Sequence, residues 1–132
     1  MQDVVVLGSL NMDLVVRTGR IPRPGETVHG HSFRTIPGGK GANQAAAAAR
    51  LGASTAMVGR QGVDTLHVTV DSSAASGTAM IAVDDDGENS IIVSPGANGH
   101  VGIEDVEDAE SLLASAQYRV MQFEVPLPAV GH

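Results

Sequence analysis

Gly38-Gly39-Lys40-Gly41-Ala42-Asn43-Gln44-Ala45-Ala46-Ala47-Ala48-Ala49-Arg50-Leu51-Gly52 is the stretch on which the fold turns. It opens with glycine, runs through five consecutive alanines and closes on a glycine. That is the pattern of a helix with a glycine after its last turn, whose small side chains let neighbouring backbone come close. On either side lie short apolar runs. Residues 3–7 are β-branched and stop at Gly8-Ser9, as a buried parallel strand does before a loop, and residues 54–58 read the same way.

Further along, Ile103, Val106, Ala109, Leu112, Leu113 and Ala116 recur at helical spacing, with Glu104, Asp105, Glu107 and Asp108 near the positive end of the dipole. One amphipathic helix over 103–116 is expected. A strand over 118–125 follows, ended by Pro126 and Pro128. Strands alternating with helices predict an α/β three-layer sandwich with a mostly parallel sheet. Three segments do not fit that sheet: 14–17, then 26–34 after the Pro24-Gly25 turn, and a hairpin of 78–83 with 90–93 across Asp84-Asp85-Asp86-Gly87. These predict a second, smaller sheet off its edge, and 66–70 reads as one more strand. All 132 residues are expected to form one domain.

Composition narrows the function. Fifteen acidic residues against eight basic give a net charge of −7, and aromatics are 2% of the chain. A nucleic-acid surface needs clustered Lys and Arg, with aromatic platforms for single strands, so that class is excluded. There is no cysteine, hence no disulfide framework and no thiolate chemistry, which fits a cytoplasmic protein. Met1-Gln2-Asp3 carries no basic leader, and the apolar run after it is too short for a signal peptide or a membrane span. No membrane partner is expected.

In an open α/β sheet, ligands bind beyond the carboxyl ends of the strands. Three polar groups are expected there: Asn11 and Asp13 just after the first strand, the 38–43 loop with free backbone N–H groups at its helix start, and Glu124 at the end of the final strand. Carboxylates, amides and N–H groups together suit a polyhydroxylated ligand. The loop is not a phosphate loop of the Walker type, because Gly41 follows Lys40 where Ser or Thr belongs and Arg34 stands in place of the first glycine. Nor is it a dinucleotide fingerprint, since Gln44 replaces the last glycine. By composition alone it can equally be a flexible turn before a helix. The acidic run at 84–87 lacks the spacing of a calcium loop, and His29 and His31 share a strand face without a third ligand, so no metal is assigned to either.

Gly8-Ser9-Leu10-Asn11-Met12-Asp13, Pro24-Gly25-Glu26-Thr27 and Gly38 to Ala45 strongly resemble, in order and spacing, the N-terminal signature of the ribokinase (PfkB) family of carbohydrate kinases. Gly87-Glu88-Asn89, Pro95-Gly96-Ala97-Asn98 and Gln122-Phe123-Glu124-Val125-Pro126 extend the resemblance over nearly the whole chain. It implies ATP-dependent phosphorylation of the 5-hydroxyl of D-ribose, with Mg2+ and a monovalent cation such as K+. It further implies that Asn11 and Asp13 bind ribose hydroxyls, that Gly39, Lys40 and Asn43 line the sugar pocket, and that Glu124 completes it. The second sheet, with strands within 14–36 and 77–94, would be a lid that closes over the sugar and pairs with its twin in a homodimer.

Two departures from the family are expected to matter. Only a short link, 59–65, stands where these kinases carry a Gly-Asp-Asp loop and a helix, and a parallel crossover ordinarily needs about a dozen residues or more. The chain also stops at His132, before the Gly-Ala-Gly-Asp motif that supplies the family's catalytic base and anion hole, and it lacks the Asn-x-x-x-Glu segment associated with the metal. No catalytic residue is therefore expected in it. The alternatives are a non-catalytic sugar-binding or vestigial fragment, and a kinase acting on another sugar or a nucleoside.

Overall fold

Strand β1 (Val4–Leu7) is the axis of the computed structural model, which describes residues 2–61 and 68–132. Val5 and Val6 have no exposed surface and Leu7 almost none, so β1 is covered on both faces, as a central parallel strand must be. It pairs in parallel with β4 (Thr55–Val58) on one side and β9 (Tyr118–Met121) on the other. Helix α1 (Lys40–Arg50) lies against β1 and β4 on one face. On the other face Val5, Leu7 and Val58 form the core with Val101, Val125 and Ala129, against which Val106, Ala109, Leu112 and Leu113 pack. This is the expected three-layer arrangement with a parallel sheet.

The second sheet runs β3-β2-β7-β8, built from β3 (Gly30–Gly38), β2 (Asn11–Thr18), β7 (Gly77–Val83) and β8 (Asn89–Ser94). The hairpin of β7 and β8 is antiparallel, as the turn chemistry predicts, with Gly87 in the left-handed region at φ 87°. Far from being the smaller sheet, among the described residues it has four strands against three in the parallel one. Two residues, Arg60–Gln61 (β5) and Thr69–Val70 (β6), pair in parallel as a separate small sheet. The strand expected over 66–70 lies partly outside the described residues, and so does most of the short link.

Other boundaries differ from expectation for local reasons. The third strand starts four residues later than expected, because Glu26 turns back to accept hydrogen bonds from Arg20 and from the Arg23 N–H. The helix expected over 103–116 is two helices, α2 (Ile103–Asp108) and α3 (Glu110–Ser115), broken at Ala109 with φ −95° and ψ 6°. Both halves keep their apolar side on the core. The last strand ends at Met121, so Glu124 lies beyond it, and Pro126 precedes a short helix, α4 (Leu127–Val130). Beside β9 opens a groove of about 750 Å3 lined by Leu7, Val106, Leu113, Arg119, Met121 and Ala129. Among the described residues no helix is long and apolar enough to cross a membrane.

Candidate functional site

The site is built where the turn after β1 meets the start of α1. Gly39 adopts φ +93°, a conformation that side chains resist, and so turns the chain from β3 into α1. A side chain on Gly41 would lie 2.7 Å from the Gly8 carbonyl carbon and the Ser9 nitrogen. The loop is glycine-rich because α1 starts directly against the β1–β2 turn, which resolves the choice left open by composition: it is a close-packed junction.

Glu124 comes to this junction from the far end of the chain. Its carboxylate accepts from Ser9 Oγ at 2.7 Å, from the Lys40 N–H at 3.3 Å, and from Lys40 Nζ. The Gln122 side chain holds it there, accepting the Glu124 N–H at 2.5 Å. Burial alone would raise the Glu124 pKa, but the hydrogen bonds from Lys40 and Ser9 and the ammonium charge outweigh it and leave the carboxyl below its ordinary value. A carboxylate at a helix N-terminus is favoured by the dipole as well. The expectation of free N–H groups at the helix start is corrected here: Lys40 donates to Glu124, Gly41 to Ser9 Oγ at 3.5 Å, and Ala42 to the Ser9 carbonyl at 3.0 Å. They anchor protein groups.

Asn11 and Asp13 are also placed differently from expectation. They belong to β2 rather than to a loop, and two-residue spacing puts both on one face of the second sheet. The Asp13 carboxyl lies over Gly38, where any side chain would collide with it. Its pKa is raised, first by burial and then by the negative charge of Glu124, so the two carboxyls face one region. Asn43 is exposed in the first turn of α1, three residues after Lys40 and on the same side of the helix. The structure thus gathers Lys40, Ser9 and Glu124 in direct contact, with the Gly39 backbone against Ser9 and Leu10 and Asp13 electrostatically coupled to Glu124.

Two polar residues that sequence reasoning passed over belong to the same junction. Ser9 and Asn98 are each 1% exposed. Asn98 binds both backbone groups of Leu10 and the side chain of Asn11. Both stand inside stretches quoted above, but single polar letters beside glycines give no sign of burial. Elsewhere, His29 and His31 are exposed, with His31 Nε2 3.5 Å from Asp85.

This geometry can be set against known proteins. The model of the pfkB family carbohydrate kinases matches residues 1–129. The ribokinase of Mus musculus is 41% identical over 138 aligned positions, which cover 92% of this chain and 43% of the mouse protein. A deoxyribokinase of Salmonella typhi is 35% identical, covering 98% of this chain and 48% of its own. Among solved structures, Arabidopsis thaliana ribokinase complexed with ribose and ATP superposes with a TM-score of 0.73 at 32% identity, over 95% of this chain and 46% of the plant protein. The chain therefore spans a little under half the length of the relatives it matches. The mouse alignment is also longer than the 132 residues of this chain, so the mouse protein carries residues inside the matched span that this chain lacks.

Proposed function

The chain belongs to the pfkB family of carbohydrate kinases, and on that premise we propose that it is the sugar-binding side of an ATP-dependent kinase making D-ribose 5-phosphate. The observation that carries this reading is the meeting of Lys40 and Glu124 beside Asp13, with Asn11 on the same sheet face. In the proposal Asn11 and Asp13 bind ring hydroxyls, Gly39, Lys40 and Asn43 line the pocket, and Glu124 closes it. Ionised Asp13 and Glu124 only accept, Lys40 only donates, and a sugar hydroxyl does both, so one furanose can satisfy the set. Charge-assisted contacts of this kind contribute roughly 1.5–3 kcal/mol each.

The four-stranded sheet acts as the lid. Its face bearing Asn11 and Asp13 turns to the sugar, and a closed lid excludes water that would otherwise take the phosphoryl group. Its opposite face is apolar, with Val16 paired to Phe33 and Met80 to Ile92 beside a groove of about 510 Å3. A second copy of this chain covers that face in the proposed homodimer.

ATP supplies the phosphoryl group in this reading, and Mg2+ and K+ are the ions proposed with it. Among the described residues, however, no group of three or more His, Asp or Glu is placed to hold a metal ion. The described residues fit a sugar, and in this reading nucleotide and metal chemistry falls to the half of the relatives that this chain does not span. A free sugar and ATP as substrates place the protein in the cytoplasm. The competing reading is a non-catalytic sugar-binding protein that uses the same side chains, Asn11, Asp13, Lys40 and Glu124.

A coupled assay with ribose and ATP tests the proposal. The chain alone should release no ribose 5-phosphate, and mixing it with a polypeptide carrying the unmatched half of the mouse ribokinase should restore turnover. Turnover by the chain alone would overturn the division of labour; a mixture that assembles yet stays inactive would favour the non-catalytic reading.

A further inference from the structure

Asn98 sits in the middle of a 3-10 turn, Gly96–His100, and its side chain is enclosed. Its Oδ1 accepts the Leu10 N–H at 2.9 Å, while its Nδ2 donates to the Leu10 carbonyl at 3.0 Å and to Asn11 Oδ1 at 2.8 Å. A backbone N–H can only donate and a carbonyl can only accept, so Leu10 alone fixes which way the Asn98 amide points. One of the two Nδ2 protons is then left for Asn11. The atom of Asn11 that faces it must be the oxygen, because a flipped Asn11 would set two amino groups against each other at 2.8 Å.

Gly77 completes the arrangement. It is the β7 residue opposite Asn11, and any side chain there would occupy the space of Asn98 Nδ2 and Asn11 Oδ1. Three elements thus meet so that two amides can touch.

We propose that Asn98 is a positioning residue for sugar recognition, acting through Asn11: it locks the Asn11 amide with its oxygen inward and its amino group free to donate to a hydroxyl. Asp13, two residues on along the same face, accepts. A hydroxyl that reaches both therefore takes a proton from one and gives its own to the other, which fixes its orientation before the lid closes. This deepens the sugar-binding reading and rests on it for its consequence, although the lock itself does not.

Two measurements on the 132-residue chain separate these. The first is the order parameter of the Asn11 side-chain amide by 15N relaxation without ligand. It should be high in the wild type and fall clearly in Asn98→Asp, which keeps the acceptor for Leu10 but cannot make both donations. An unchanged value overturns the lock. The second is a double-mutant cycle on ribose affinity by calorimetry. Asn98→Asp should weaken ribose at least fivefold when Asn11 is present and less than twofold in the Asn11→Ala background. Equal weakening in both backgrounds means that Asn98 merely supports the fold, and overturns the proposal. Should Asn98→Asp not fold, Asn98→Ser takes its place in both measurements with the same expectations. If the wild type binds no ribose but the order parameter still falls, the sugar reading fails and the lock stands.

Discussion

The Glu124 carboxylate accepts hydrogen bonds from both nitrogens of Lys40, backbone and side chain, across 84 residues of sequence. That closure brings the segment after β9 onto the start of α1 and so joins Lys40, Ser9 and Glu124 in one site.

Asp13 carries a cost in the free protein. Its pKa is raised, by burial and then by Glu124, so the folded state holds its proton more tightly than the unfolded chain does. Its contribution to stability is complete below pH 3.8 and declines as pH rises through the folded value. Asp13→Asn should therefore leave the thermal midpoint at pH 7 unchanged or higher while weakening ribose about tenfold, by loss of one charged acceptor. Scanning calorimetry and titration check the pair; a lowered midpoint or an unchanged affinity contradicts the role.

Asp71 works in the opposite direction. Hydrogen bonds from the Ser73 hydroxyl and N–H, then from His100, hold its pKa far below the ordinary value of 3.8. Stability from this group is full above pH 3.8 and is lost as pH falls below it, where Glu124, lowered from 4.5, acts in the same sense. The wild-type thermal midpoint should fall as pH drops below 3.8, and Asp71→Asn should flatten that limb. Parallel limbs would show that Asp71 gains nothing from its partners.

Arg60 is a half-buried cation at the start of β5. Its Nε donates to both oxygens of Asp105 at 2.9 and 2.8 Å, and Nη1 lies 3.7 Å from Asp71, with the Arg60 side chain 19% exposed. Asp105 also accepts the Gly102 N–H and so caps α2. Arg60→Met leaves Asp105 buried without its charge partner, and urea unfolding should show a loss of about 3 kcal/mol. A loss below about 1 kcal/mol would make the pair a surface contact in energetic terms.

The parallel core was legible because β-branched runs and one alanine-rich helix leave little choice of fold, and the glycine loop was legible as a motif. What stayed hidden was set by contacts distant in sequence. Ala109 breaks a helix whose apolar spacing is continuous, so periodicity could not show the break. Asn11 and Asp13 read as loop residues, yet pairing with β3 and β7 draws them into a strand. Ser9 and Asn98 are buried polar residues whose partners lie on other elements, and no local pattern marks such residues.

Titration of ribose into the chain and into Glu124→Gln tests the central claim most directly. The account predicts one sugar per chain for the wild type and at least tenfold weaker binding for the variant, since the amide cannot replace a carboxylate that holds Lys40 and Ser9 together. Equal affinity for ribose in the two proteins would contradict it.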